Sequence, residues 1–560
     1  MADEKFPEEK IDVQDSRPSV DVNDPKAVTP DGGEPTEYEK STLRHISDDL
    51  ALRIWLIAIV ELCERFTYYA LSVETQNYAQ RPLDGSLGRG ALGLGQKGAT
   101  ALTTFFSFFC YVTPIPGAIL ADQYIGKYRA IIVFAIVYIV GLLILLLTSI
   151  PVALEHGAGL GGFITALIVI GFGTGGIKAN VSPLIADQYT KRKMAVKTTP
   201  KGERVIISPA VTIQRIYTIF YACINVGCLS MLAAPYMERD VGFWTVFLMC
   251  TLLFFVALAV LVFGRNKYVI RPPTGAIITD AFKLIWIMMK NRNMNAPKEI
   301  INTRTGQVWD SHFVEEVKRA FVACKIFCFF PVFWVIYGQF SSNFVSQAGQ
   351  MAGHGIPNNL MQNFDPIAIL VTLPILDRIV YPWLNKKHIS FLPITRITVG
   401  IFLCSFAMIY AGVLQHFIYQ AGPCYESPLC PASEVDGVMQ GNDIHIAIQA
   451  PAYMFIGWAE VFFSVSALEY AYMKAPEQLK SFVQSLYLLT NAFGSAIGMA
   501  LSPVAYDPAI MWMYVGLACA AVVTSIVFWL LFRHLNQLEE EMNALDKDYE
   551  SEKTQSDEEA

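Results

Sequence analysis

Twelve apolar stretches follow one another along this chain, and each is long enough to cross a lipid bilayer. They cover roughly residues 52–79, 98–121, 128–150, 160–185, 210–235, 242–263, 321–347, 364–381, 392–419, 444–472, 482–504 and 510–532. A hydrocarbon core of about 30 Å needs about 20 such residues in a helix. Lipid offers no partner to a free backbone N–H or C=O, so only helices or closed barrels can span it, and runs of this length are helices. With 53% hydrophobic and 16% charged residues, the chain cannot cover a fold of this size with polar surface. The expected class is an all-α membrane protein with 12 transmembrane helices.

Basic residues set the orientation. Lys127 and Arg129 follow the second stretch, Lys191 to Arg215 the fourth, Arg265 to Arg319 the sixth, and Arg378 to Arg396 the eighth. The connections after the third, seventh, ninth and eleventh carry neither Lys nor Arg. Positive charge is retained on the cytoplasmic side, so both termini are expected there. Arg81, Arg89 and Lys97 are the external exceptions. The net charge of −7 comes largely from the tails and offers no basic surface to nucleic acid.

Five segments are expected. Residues 1–45 are acidic and poor in apolar side chains, which points to a disordered tail; no signal peptide is evident. Residues 46–263 form an N-terminal six-helix bundle. Residues 264–320 form a cytoplasmic linker with amphipathic helices over Ile277 to Lys290 and from Ser311 onward. Residues 321–533 form the second bundle, and 534–560 an acidic tail with a short helix and a frayed end. Asp122 beside Lys127 after the second stretch is echoed by Asp377-Arg378 after the eighth, as in a chain built from two related halves. Most of the 11 cysteines lie in apolar runs and act as small hydrophobes. Cys424 and Cys430 share an external loop, where a disulfide and two thiols are equally compatible with the sequence.

The chemistry lies in charges placed at depth. The first stretch contains Glu61-Leu62-Cys63-Glu64-Arg65-Phe66-Thr67-Tyr68-Tyr69. A charge at mid-membrane costs on the order of 2.5–3.5 kcal/mol on the insertion scale, so three within five residues mark a function. On a helix, Glu61 precedes Arg65 by one turn, the favourable order for a pair. Two carboxylates share one guanidinium, and a proton can neutralise the remainder. Lys178 follows a glycine run, Gly171 to Gly176, and completes a cluster of zero net charge. Its glycines permit close helix approach or a break. Glu460 has no local cation, and Asp365 opens the eighth stretch. A small zwitterion fits between these ends, carboxylate toward Arg65 and Lys178, amine toward Glu460. No metal-ligand spacing, paired-His motif or nucleophile elbow is present, so no enzyme and no cofactor beyond protons are expected.

The Glu61–Tyr69 stretch resembles the signature of the proton-dependent oligopeptide transporter family, which has the major facilitator fold. Phe220 to Gly227 is similar to the family's fifth-span motif, and Asp122 to Arg129 to the loop motif of the superfamily. With Trp334 to Gln339, the chain is most similar to the fungal di- and tripeptide permeases of that family. The resemblance implies a plasma-membrane symporter importing di- and tripeptides with protons by alternating access; a monomer suffices. It implies proton coupling at Glu61, Glu64 and Arg65. It implies peptide contacts at Arg65, Tyr68, Tyr69, Tyr111, Lys178, Asn225, Trp334, Gln339, Glu460 and Ser464. Asp365 replaces an amide common in relatives and either strengthens amine binding or faces the outside. An external Arg–acid gate pair of many relatives is replaced by Ser72 and Gly338, and a tryptophan by Tyr487. Transport of another small anion or amino acid, or peptide sensing without flux, are the alternatives.

Overall fold

The computed structural model describes residues 29–559 apart from 192, 200, 201, 274–276, 291–310, 388–390, 436 and 475–479. The expected disordered tail and linker therefore fall partly outside the described residues, at 1–28 and 291–310. The chain divides into a small unit, residues 1–52 with 189–219, and a large one, residues 53–188 with 220–560.

The small unit departs from expectation. Residues 29–46 are ordered rather than disordered: Glu37–Thr42 is a helix with a Thr36–Glu39 capping box, and His45–Ile46 is a strand. His45–Ile46 pairs parallel to Arg204–Ile207, which pairs antiparallel to Ala195–Thr198. The physical reason is one carboxylate. Glu39 Oε1 accepts from Arg204 Nη2 at 2.9 Å and from the Thr29 amide at 3.1 Å. Burial alone would raise the Glu39 carboxyl, but bonds from the Thr29 hydroxyl, the Thr36 and Thr29 amides and Arg204 bring it down to about 2. Composition averaged over an acidic tail hides such a single partner, and strands this short carry no period.

The large unit is a multi-span helical membrane fold. Among the described residues, ten helices are long and apolar enough to cross a membrane. Two further helices have the length but more polar content. Leu52–Gln80 has 29 residues and includes Glu61, Glu64, Arg65 and Glu74; Lys480–Leu501 has 22. Leu252, Phe263, Ile379, Trp512, Val523 and Leu530 are exposed, an outer surface suited to acyl chains rather than water.

Inside, aromatic side chains fill the gaps between helices. Tyr78 meets Phe163 and Phe243 at 4.8 and 5.1 Å between ring centres. In the C-terminal half, Phe333 stacks on Phe463 at 3.7 Å. The glycine run resolves in favour of close approach, because the Gly159–Asp187 helix continues unbroken through it. A Cβ on Gly173 would stand 2.8 Å from the Tyr138 Cα, on the neighbouring Lys127–Thr148 helix.

The two-fold echo has a backbone counterpart. Ala121–Ile125, holding Asp122, and Leu376–Val380, holding Asp377 and Arg378, are both π-helical turns ending a span. At the first, Lys127 and Arg271 reach Asp187 at 3.0 and 3.3 Å. Helices also occupy Ile277–Lys290 and Ser311–Ala323 in the connection between the halves. On the opposite face Cys424 and Cys430 are disulfide-bonded, with Cα atoms 5.7 Å apart. The final helix runs from Ala509 to Glu559 without interruption, where a short helix and frayed end were expected.

Candidate functional site

The Leu52–Gln80 helix presents its charged residues inward. Glu64, Glu61 and Arg65 are 0%, 4% and 6% exposed. Arg65 Nε lies 3.2 Å from Glu61 Oε1, one turn earlier, and Arg65 Nη2 forms an ion pair with Glu64 Oε2. Thr174, from the glycine-bearing helix, donates to Glu64 Oε1 at 3.2 Å. The Arg65 guanidinium carbon stands 5.3 Å from the centre of the Tyr68 ring, so one cation is held by two carboxylates and an aromatic face. The ion pairs are off-angle: Arg65 Nε and Nη2 and Glu64 Oε2 have no hydrogen-bond partner among the described residues. Buried charges in that condition are costly. They also leave guanidinium N–H groups ready for an acceptor of better geometry.

Lys178 Nζ sits 3.8 Å from the centre of the Tyr111 ring and within electrostatic range of Glu61. Tyr68 packs edge-on against Tyr69 at 5.7 Å. Asn225 is half-buried and donates its amide to the Tyr221 carbonyl at 2.8 Å, in its own helix.

The acids of the C-terminal half lie together. Asp365 is 5% exposed and its Oδ1 has no hydrogen-bond partner among the described residues. It lies inside rather than at the external surface: a Cβ on Gly457 would be 3.1 Å from that oxygen. Gly457 and Glu460 share the Ala450–Lys474 helix, and the charges of Asp365 and Glu460 act on each other. Tyr337 lies beside Glu460. Ser464 Oγ is buried beside Tyr487.

The two groups converge on shared tyrosines. Tyr337 senses Glu460 and Asp365 from its own half, and Tyr111 and Tyr69 from the other. Tyr487 senses both Glu460 and Tyr111. Tyr221 is 50% exposed and lies within electrostatic range of Glu460. Trp334 closes one wall, donating Nε1–H to Thr490 at 3.0 Å and meeting Tyr487 edge-on at 6.0 Å. Gln339 is committed elsewhere: it is buried, donates to the Val335 carbonyl at 2.9 Å and accepts from Asn343 at 2.7 Å.

Sequence reasoning passed over Thr174, Tyr337 and Cys228, the last beside Tyr69 and within electrostatic range of Asp365 and Glu460. Tyr337 had a usable signal, since it stands one turn after Trp334 and shares its face. Thr174 had none beyond its place in the glycine run. Among the described residues no cluster of His, Cys, Asp and Glu could hold a metal ion.

The chain has known relatives in both sequence and fold. Residues 128–517 match the POT family. The chain is 48% identical to the peptide transporter PTR_A of Candidozyma auris over 96% of its own length and 91% of that protein. It is 46% identical to the peptide transporter PTR2 of Saccharomyces cerevisiae, covering 92% of this chain and 85% of that one. Among solved structures, the POT family transporter PepTSo superposes with a TM-score of 0.69 at 21% identity, covering 88% of this chain and 99% of that one. An auto-inhibited POT family peptide transporter gives 0.68 at 22% identity, with 86% and 97% covered. The chain is a member of the POT family.

Proposed function

We propose that this protein is a proton-coupled symporter of the plasma membrane that imports di- and tripeptides by alternating access, as the names of its relatives suggest. The observation that carries this reading is the separation of charge across one tyrosine-lined site. Arg65 and Lys178 lie on one side, Asp365 and Glu460 on the other; Tyr111 faces Lys178, Tyr337 faces the two acids, and the two tyrosines are within electrostatic reach of each other. A dipeptide has its charged ends placed likewise.

In this reading, a proton on Glu64 or Glu61 weakens their hold on Arg65. The guanidinium then turns its free Nε and Nη2 donors to the peptide carboxylate, helped by Lys178 and Asn225. Glu460 and Asp365 take the amine, and Tyr68, Tyr69, Trp334 and Ser464 form the walls. Release on the far side returns the proton and reforms the pair. Gln339 acts through its bond to Asn343 rather than by touching the peptide. Twelve transmembrane helices in two six-helix bundles, residues 46–263 and 321–533, rock about this site as in the major facilitator fold. The linker and both termini are cytoplasmic, and a monomer is the working unit.

The test is uptake of a labelled dipeptide into proteoliposomes with an imposed inward proton gradient. Accumulation above the external concentration is expected, abolished by a protonophore and competed by di- and tripeptides but not by nitrate or free amino acids. Equal uptake with and without the gradient would overturn the reading.

A further inference from the structure

The substitution of Ser72 and Gly338 for a gate pair leaves open how the external face closes. A Cβ on Gly338 would meet no atom within 4 Å among the described residues, so no described side chain latches there. A different set of residues joins the halves near that face. Asn358 and Asn359, in the turn before the Phe364–Ile375 helix, insert between Glu74, Asn77 and Arg81 of the first long helix and Glu238 of the Ser230–Asp240 helix. Asn359 Nδ2 donates to Glu74 Oε2 at 3.1 Å and to Glu238 Oε2 at 2.7 Å. Asn77 and Asn358 exchange amide bonds at 2.9 and 3.0 Å. Arg81 reaches Asn358 Oδ1 at 2.8 Å and Glu238 Oε1 at 3.4 Å. Glu74 is 0% and Glu238 3% exposed.

The clasp lacks one hydrogen. One amide nitrogen brackets both carboxyl groups, which puts those oxygens at most about 6 Å apart, and the charges of the two carboxyls act on each other. Two ionised carboxylates cannot bond directly; a shared proton lets them. Among the described residues Arg81 is the cation that reaches the two carboxyls, so one carboxylate is unmatched. Glu74 Oε1 and Asn359 Oδ1 are buried acceptors without a donor among the described residues, and an added proton is a donor. A cavity of about 470 Å³ lined by Arg81, Glu238 and Asn358 gives water a path to the clasp.

We propose that Glu74 holds one proton against the Glu238 carboxylate when the external face is closed, and that these two side chains with Asn358 and Asn359 form the external gate latch. The proton is taken from external water as the halves meet and returned there when they part. It is thus distinct from the protons carried with the peptide. External acid favours closure, by up to about tenfold in the closed-to-open ratio per pH unit. Cys250 is the thiol facing Glu74. The cavity is also lined by His354, Arg89 and Arg239. Of these, Arg89 is held by backbone carbonyls, Arg239 by the Gly355 carbonyl and the Asp240 carboxylate, and His354 stacks on His445 at 5.3 Å.

The inference rests on the alternating-access reading, and its test separates the two. Spin labels at Val152→Cys and Val435→Cys, both exposed, report the distance between the external ends of the halves; the exposed Cys328 and Cys519 are changed to serine. In nanodiscs from pH 8 to pH 5.5, the short-distance population of the parent should grow with acid. Glu74→Gln should hold it high at every pH. Asn359→Asp, which adds a third carboxylate, should empty it at pH 8 and restore it in acid. His354→Asn should keep the parent's response. An unchanging population in the parent, a parent-like response in both Glu74→Gln and Asn359→Asp, or loss of the response in His354→Asn would overturn the latch. Gradient-driven uptake remaining intact alongside any of these would leave the symport reading standing.

Discussion

Arg65 is the residue on which the chemistry turns, because it is held by more than its charge requires. Glu61, Glu64 and the Tyr68 ring all address it. Removing one partner of a buried ion pair typically costs about 3–5 kcal/mol, since the other charge is stranded. Arg65→Ala strands two carboxylates, so a loss of that order in the thermal or denaturant stability of purified protein is expected, together with loss of uptake. Glu64→Gln keeps the shape and removes the titrating site. Uphill accumulation should disappear while counterflow exchange persists, and accumulation equal to the parent's would contradict the coupling role. At the opposite end, Glu460→Ala should weaken free-amine dipeptides at least tenfold more than N-acetylated ones in competition assays. The charged cluster was legible in the sequence because ionisable groups are rare in apolar runs. Its orphaned hydrogens were not, since off-angle pairing is a property of three-dimensional placement. Glu74 and Glu238 were invisible for a related reason: 164 positions of sequence part them in unremarkable helix ends, and nothing local marks one as the other's partner.

At the scale of elements, hydropathy located the helices well because the bilayer imposes one length on each. It was weakest where function intrudes. Leu52–Gln80 carries the charges that make transport possible and thereby reads as less apolar than its neighbours. Long-range backbone approach is equally decisive but appears in sequence only as glycine. Gly173→Leu would drive a Cβ toward the Tyr138 backbone, where neither helix can yield cheaply. A destabilisation of about 1–3 kcal/mol is expected, read as a lower melting midpoint of detergent-purified protein. The small unit shows the opposite case, in which one titratable side chain orders a segment that composition marks as loose. The folded Glu39 carboxyl is lowered to about 2, so its contribution is complete above the ordinary carboxylate value and is lost as pH falls through that window toward 2. Glu39→Gln should reproduce that loss at neutral pH. Hydrogen exchange over Glu37–Thr42 and Arg204–Ile207 is the measurement, and protection equal to the parent's would show that the carboxylate is not the organiser.

For the whole molecule, charge arithmetic decides how the membrane potential enters. The protein's own charges return to their starting state over each full cycle, and a dipeptide zwitterion adds nothing. A carrier loaded with one proton and one neutral dipeptide therefore moves one positive charge inward. An elementary charge crossing 100 mV is worth about 2.3 kcal/mol, roughly a fiftyfold change in an equilibrium. Imposing 100 mV, negative inside, on proteoliposomes at equal pH should raise the limiting accumulation ratio of a neutral dipeptide by up to about that factor per proton carried. A dipeptide with an acidic side chain should gain less, because its own negative charge offsets the proton's unless a second proton accompanies it. The separation between the two peptides measures whether the pocket neutralises an added carboxylate by protonation or by Lys178. An identical response would mean an extra proton enters with the acidic peptide. No response for either would mean that proton movement is not tied to peptide movement, whatever the geometry of Arg65.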